Sequence, residues 1–264
     1  MLRSVLIGVG ASAVLLTGFV MFFEDKFIYF PGKDDPGVSP GEEVELRAAD
    51  GVRLHAWWVP NPKAKTTLLY LHGNAGHIGD RRDVIRQLGS LPADVLALDY
   101  RGYGRSEGTP SESGLCADAR AAYDWLIAKG IPASRIVVFG KSLGGAVAAD
   151  LASKVEVGAL ILQSTFTSAP DMAGRVMPLF PARLLMRSRY DTLSKVASIA
   201  CPKLIVHSRR DEMIPFEMAE RLLTAAKEPK ESAWFEKGGH NGLIDGNETA
   251  WLDALRRFAI RGSP

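Results

Sequence analysis

Cysteine is scarce in this chain. Cys116 and Cys201 are the only two in 264 residues, they lie far apart, and neither belongs to a CxxC or His-containing spacing, so no zinc module organises the fold. They are expected as buried thiols rather than a disulfide. Charge of one sign is also missing: 32 Lys and Arg against 30 Asp and Glu leave a net +2. With no basic stripe interleaved with aromatics, nucleic acid is not an expected partner. No GxxxxGK[ST] run occurs and no GxGxxG follows a strand, which removes the usual phosphate and dinucleotide cradles. His72 and His77 share their spacing with no carboxylate or cysteine, so they read as hydrogen-bonding loop histidines, and no metal is expected.

What the chain does have is an apolar N-terminus and a globular remainder. Residues 5–23 are 19 consecutive uncharged positions whose only polar side chains are Ser12 and Thr17. A helix of that length covers roughly 28 Å, the thickness of a bilayer's hydrocarbon core. The run ends in Met21-Phe22-Phe23-Glu24-Asp25, without the small residues a signal-peptide cleavage site needs. Residues 1–30 are therefore expected as a single-pass membrane anchor and 31–264 as one domain. Arg3 favours a cytoplasmic N-terminus with the domain extracytoplasmic, although Lys26 and Lys33 weigh against it. Phe27, Tyr29 and Phe30 suit either the membrane interface or packing on the domain.

With 47% hydrophobic and 23% charged residues, the remainder supports a large core. An Asp50-Gly51 step between alternating runs at 44–47 and 52–59 predicts a hairpin. Beyond it, apolar strands at 66–71, 94–99, 136–139, 157–163, 203–207 and 232–236 alternate with helical patterns at 78–88, 112–129, 146–150, 216–226 and 251–260. That alternation implies a mostly parallel sheet with helices on both faces, whose ligands gather beyond the strands' C-terminal ends. Residues 164–198 break it with Pro170, Pro178 and Pro181 among methionines and leucines, and are expected as a small lid, with packing as two short core helices as the alternative.

The strand at 136–139 breaks into Gly140-Lys141-Ser142-Leu143-Gly144-Gly145 and continues as a small-residue helix. A serine between glycines at spacing two, on a strand-to-helix turn, fits a nucleophile elbow. Gly104-Arg105-Ser106-Glu107-Gly108 has the same spacing but runs into Thr109-Pro110 rather than a helix. Ser106 is accordingly expected as a capping or turn residue. A serine needs a base and a group to orient that base; His240, on Gly238-Gly239-His240, and Asp211, leaving the strand at 203–207, follow Ser142 in the order Ser, Asp, His. The small residues after the strand at 66–71, His72-Gly73-Asn74-Ala75-Gly76, allow a substrate oxygen near the backbone. The N–H groups of Asn74 and Leu143 are the candidate oxyanion donors.

Together, His72-Gly73-Asn74-Ala75-Gly76, Asp99-Tyr100-Arg101-Gly102-Tyr103-Gly104, Gly140-Lys141-Ser142-Leu143-Gly144-Gly145, Asp211-Glu212-Met213-Ile214-Pro215 and Gly239-His240-Asn241 resemble the α/β-hydrolase superfamily from about residue 44 onward. With the apolar N-terminus and Tyr29-Phe30-Pro31, the chain is similar to the small membrane-anchored hydrolases related to the fungal bud-emergence protein. That resemblance implies an α/β-hydrolase fold with an eight-stranded, mostly parallel sheet, a histidine-activated serine and no cofactor. It also implies a small-molecule or lipid-like acyl ester or thioester as substrate, with peptide as the alternative and a non-catalytic scaffold as a third reading. Asn241-Gly242 departs from the family, whose members often carry an acidic residue after the histidine.

Overall fold

The computed structural model describes residue 18, residues 23–178 and residues 181–261. The anchor expected at residues 5–23 lies outside these, apart from Gly18 and Phe23. Among the described residues no helix is long and apolar enough to cross a membrane.

Strands β2 (Glu42–Arg47), β3 (Arg53–Val59), β4 (Thr66–Leu71), β6 (Ala93–Leu98), β7 (Ile136–Lys141), β8 (Ala159–Gln163), β9 (Lys203–Ser208) and β10 (Lys230–Phe235) form an 8-stranded sheet in the order β10-β9-β8-β7-β4-β6-β3-β2. The pairs from β10 to β6 are parallel, and only β2 and β3 run antiparallel to their neighbours. β4, β8 and β9 are buried along their whole lengths, as strands covered on both faces must be, which is why they read as continuous apolar runs rather than alternating ones. Alternation instead sorts neighbours between the two faces. Val138 and Leu69 join the core on one side, while Val137, Phe139 and Trp251 join the core on the other. Trp57 and Trp58 divide the same way and both are buried. The N-terminal connector reaches Trp57 through Arg82, whose guanidinium lies 5.6 Å from the ring centroid and donates to the Pro36 carbonyl.

Helices Arg82–Gly89, Glu112–Ala128, Leu143–Ala152, Phe216–Ala225 and Glu248–Arg261 cover the faces. The periodicity at 78–88 resolves into a 3-10 turn, Ile78–Arg81, followed by the helix Arg82–Gly89.

Two regions differ from expectation. The first is residues 24–30, assigned to the anchor by the boundary at 30, which pack on the domain. A short helix α1 (Glu24–Ile28) leads to strand β1 (Phe30–Pro31), which pairs with β5 (Ala75–Gly76). The Glu24 carboxylate is buried and accepts from the Arg187 and Ser188 N–H groups at 2.9 and 2.7 Å. Tyr29 is buried with its hydroxyl 2.7 Å from that of Tyr190, whereas Phe27 and Phe30 are exposed. An acidic residue next to a long apolar run reads as the end of a span; here it caps a distant turn. The second region is residues 164–198, where Phe166, Ala169, Tyr190 and Val196 belong to the main core. Among the described residues of that segment, the exposed large apolar side chains, Val176, Met177 and Leu184, all lie in its middle.

Candidate active site

Ser142 sits between β7 and the helix Leu143–Ala152 with φ 53° and ψ −119°, a conformation that costs a non-glycine residue about 1–3 kcal/mol. Close packing enforces it. A Cβ on Gly144 would collide with the Leu71 carbonyl, and one on Gly140 with the Gly144 carbonyl. The Thr165 hydroxyl donates to the Ser142 carbonyl at 2.7 Å and locks the turn from the neighbouring strand's end.

Three loops converge on this point. His240 Nε2 lies 3.1 Å from Ser142 Oγ, and His240 Nδ1 lies 2.8 Å from Asp211 Oδ2. A carboxylate can only accept, so Nδ1 carries the proton and the neutral ring presents the bare Nε2 lone pair to the serine hydroxyl. Asp211 Oδ1 accepts from the Met213 and Ile214 N–H groups at 3.0 and 2.8 Å. Burial pushes the Asp211 carboxyl up, but the His240 hydrogen bond and the Ile214 N–H outweigh it and hold it below the ordinary carboxylate range.

Around this line stand residues that motif reading missed. Glu212 accepts from the His240 N–H at 2.9 Å and clamps the histidine loop. His207, buried, has Nε2 2.9 Å from the Ile214 carbonyl and 3.5 Å from Asp211 Oδ2, so Nε2 is its protonated nitrogen. Lys141 Nζ donates to Asn241 Oδ1 at 3.2 Å, tying the elbow to the residue after the histidine. The only advance signal for these was their position beside the motif residues.

Gly73 also brings bare backbone close to Ser142: a Cβ there would lie 4.0 Å from Ser142 Oγ. Asn74 is held by three bonds, its carbonyl accepting from Phe30 N–H (2.9 Å) and Tyr103 hydroxyl (2.8 Å), its Nδ2 donating to the Ile28 carbonyl (2.9 Å). Leu143 opens its helix, so its N–H is among those without an intrahelical acceptor. Ser106 is elsewhere engaged, accepting from His55 N–H and donating to the Asp99 carbonyl, each at 2.8 Å. His72 Nδ1 lies 2.7 Å from the Gly73 carbonyl, and His77 Nε2 lies 3.3 Å from Asp34. Cys116 and Cys201 are free thiols.

The chain matches, over residues 62–189, the family described as serine aminopeptidase, S33. It is 38% identical over 259 residues to an uncharacterized protein of Mycobacterium tuberculosis, covering 93% of this chain and 92% of that one. It is 36% identical to the alpha/beta hydrolase domain-containing protein WAV2 of Arabidopsis thaliana, covering 96% and 94%. To protein bem46 of Schizosaccharomyces pombe the identity is 35%, covering 78% and 75%. The chain is an α/β-hydrolase. Among solved structures, a Pyrococcus furiosus esterase superposes on this hydrolase with a TM-score of 0.75 at 24% identity, covering 88% of this chain and 98% of the other. That likeness confirms the fold, and the hydrolase carries the expected bud-emergence-type relatives.

Proposed function

We propose that this hydrolase cleaves a carboxylic ester or acyl thioester through Ser142, His240 and Asp211. The observation that carries the reading is the continuous line from Asp211 Oδ2 through His240 to Ser142 Oγ, with both gaps at hydrogen-bond length. In the first step Ser142 Oγ attacks the substrate carbonyl and His240 Nε2 takes its proton. Asp211 holds the ring in the Nδ1–H tautomer and stabilises the imidazolium. The carbonyl oxygen becomes an oxyanion facing the N–H groups of Asn74 and Leu143. Collapse of the tetrahedral intermediate breaks the bond to the alkoxide or thiolate leaving group, which takes the proton from His240. Water, deprotonated by the same Nε2, then releases the acid and regenerates Ser142. None of these steps calls for a cofactor.

A fluorophosphonate probe tests the reading, because it labels a serine only when a base activates it. Labelling of the native chain, lost in Ser142→Ala, is expected; a folded chain that resists the probe would leave a non-catalytic scaffold as the better account. Peptide hydrolysis is the second reading, favoured by the description of the matching family. A 4-nitrophenyl ester and an aminoacyl 4-nitroanilide separate the two, and faster turnover of the anilide would assign a peptidase. The exposed middle of residues 164–198 acts in this reading as a brief lid, giving a preference for short to medium acyl chains.

The same proposal puts the chain in a membrane by residues 5–23, N-terminus cytoplasmic and domain extracytoplasmic. Protease added outside intact cells should then cut the domain; protection of the domain would reverse the orientation.

A further inference from the structure

Behind the elbow, on the face of the sheet that carries Trp251, lies a cavity of about 140 Å³ lined by Tyr70, Asp80, Arg81, Val84, Phe139, Lys141, Gln163, Asn241 and Ile244. Lys141 immediately precedes Ser142, and Asn241 immediately follows His240. The cavity therefore shares walls with both loops of the reactive line.

Two donors in its polar lining lack acceptors. The Tyr70 hydroxyl and Arg81 Nε are both buried and have no hydrogen-bond partner. Tyr70 is 1% exposed, and burial pushes its hydroxyl up to about 12, so it stays protonated and can only gain by donating to an acceptor. Arg81 spends Nη2 on the Ala75 carbonyl at 3.0 Å, and Lys141 donates only to the neutral Asn241 amide. Among the described residues neither cation forms an ion pair. Burial first, and then the like charge of Arg81, push the Lys141 ammonium down to about 8 against an upward pull from the Asp211 carboxylate. The one carboxylate in the lining, Asp80, is committed to the His77 N–H at 3.0 Å. The Gln163 amide oxygen is taken by the Trp251 indole N–H at 2.8 Å, leaving that amide only its NH₂ to offer.

Two cations, an orphaned hydroxyl and a spare amide around one small space make a site for an anion. We infer that this cavity is a substrate subsite for a carboxylate or phosphate group, so that the hydrolase acts on esters carrying an anionic group close to the scissile carbonyl. The inference rests on Ser142 as nucleophile and names the class of substrate it receives. By liquid volume the space equals about five waters at ~30 Å³ each, room for one such group with a methylene behind it. Water filling the same space would satisfy the donors but would confer no selectivity between charged and neutral esters.

The test compares the mono-4-nitrophenyl ester of adipate with 4-nitrophenyl hexanoate, a neutral ester of the same six-carbon chain. The native chain should favour the charged ester by about tenfold or more in kcat/KM, the worth of a charged hydrogen bond in a site shielded from water. Lys141→Met and Arg81→Gln should each bring that ratio close to one, and Tyr70→Phe, which keeps the ring's packing, should lower it severalfold. A native ratio at or below one, or a ratio that these variants leave unchanged, overturns the subsite while leaving the serine hydrolase reading intact. If neither ester is cleaved, that reading fails instead, and calorimetry on Ser142→Ala then decides the subsite by itself. Binding of adipate, lost on adding Lys141→Met, supports it; binding of inorganic phosphate but not adipate supports it with a phosphorylated substrate as the source; binding of neither overturns it.

Discussion

Asp211 is a carboxylate kept ionised by its neighbours rather than by water. Its side chain is fully buried, yet the His240 N–H and the backbone N–H groups of residues 213 and 214 hold its charge. A group whose folded pKa lies below its unfolded value contributes stability above the unfolded range, near 4, and loses it as pH falls through the folded value. Asp211→Asn should therefore flatten the acid limb of the unfolding free energy below about pH 4, read by urea titration at successive pH values. An unchanged acid limb would mean that the carboxylate is not ionised in the native protein. In turnover, Ser142→Ala should cost about 10⁶ in kcat and Asp211→Asn about 10⁴, by analogy with other serine triads. Near-full activity in Ser142→Ala together with its loss in Ser106→Ala would transfer the nucleophile to the other Gly-x-Ser-x-Gly copy. The three side chains that the structure brings together were legible in the sequence because each sits just past an apolar strand, with glycines flanking Ser142 and preceding His240. Glu212, His207 and the Lys141–Asn241 pair were not, because their roles depend on contacts between loops up to 100 positions apart, which no local pattern encodes.

At the scale of elements, the alternation of strands and helices was readable and the strap at residues 24–31 was not. Five residues of α1 are too few to be stable as an isolated helix; what holds them is tertiary. Glu24 accepts two backbone N–H groups from the turn at 187–188, Tyr29 meets Tyr190, and β1 pairs with β5 directly after Asn74. Tyr190 itself has φ 41°, a conformation sustained by Glu112 on its N–H and by Tyr29 on its hydroxyl. Glu24→Ala strips a charged acceptor from two donors and should cost about 1.5–3 kcal/mol, measured as a shift in urea midpoint with m unchanged. A chain beginning at residue 23 should unfold as the full domain does, whereas one beginning at residue 32 should lose stability and also kcat. The second loss follows because Ile28 and Phe30 are two of the three groups holding Asn74. If the shorter chain kept full kcat, the strap would be structural only.

On the scale of the whole molecule, the strap changes how far an anchor could stand from the chemistry. Were residues 1–30 all anchor, a connector of some ten residues would let the domain drift from a bilayer. Instead the chain is already fixed to the Asn74 loop at Phe30 and to the turn at residues 187–188 at Glu24. Phe27 and Phe30 on the strap are 57% and 52% exposed, and Val176 and Leu184 in the segment 164–198 are 74% and 86% exposed. Single exposed apolar side chains are common; these four lie on two segments that hydrogen-bond to each other and follow an uncharged run of 19 residues. If that run spans a bilayer, the mouth of the site faces the lipid surface at close range. The full chain should then float with phospholipid vesicles through a density gradient and resist high-salt and carbonate washes, while residues 23–264 should remain at the bottom. Replacing Phe27 and Leu184 by serine should leave flotation of the full chain intact, since roughly 28 Å of apolar helix dominates the partition, but should weaken the residual vesicle contact of the shorter chain. A full chain that stays in the buffer, or washes off in salt, would remove the anchor and with it any reason for the site to lie against lipid.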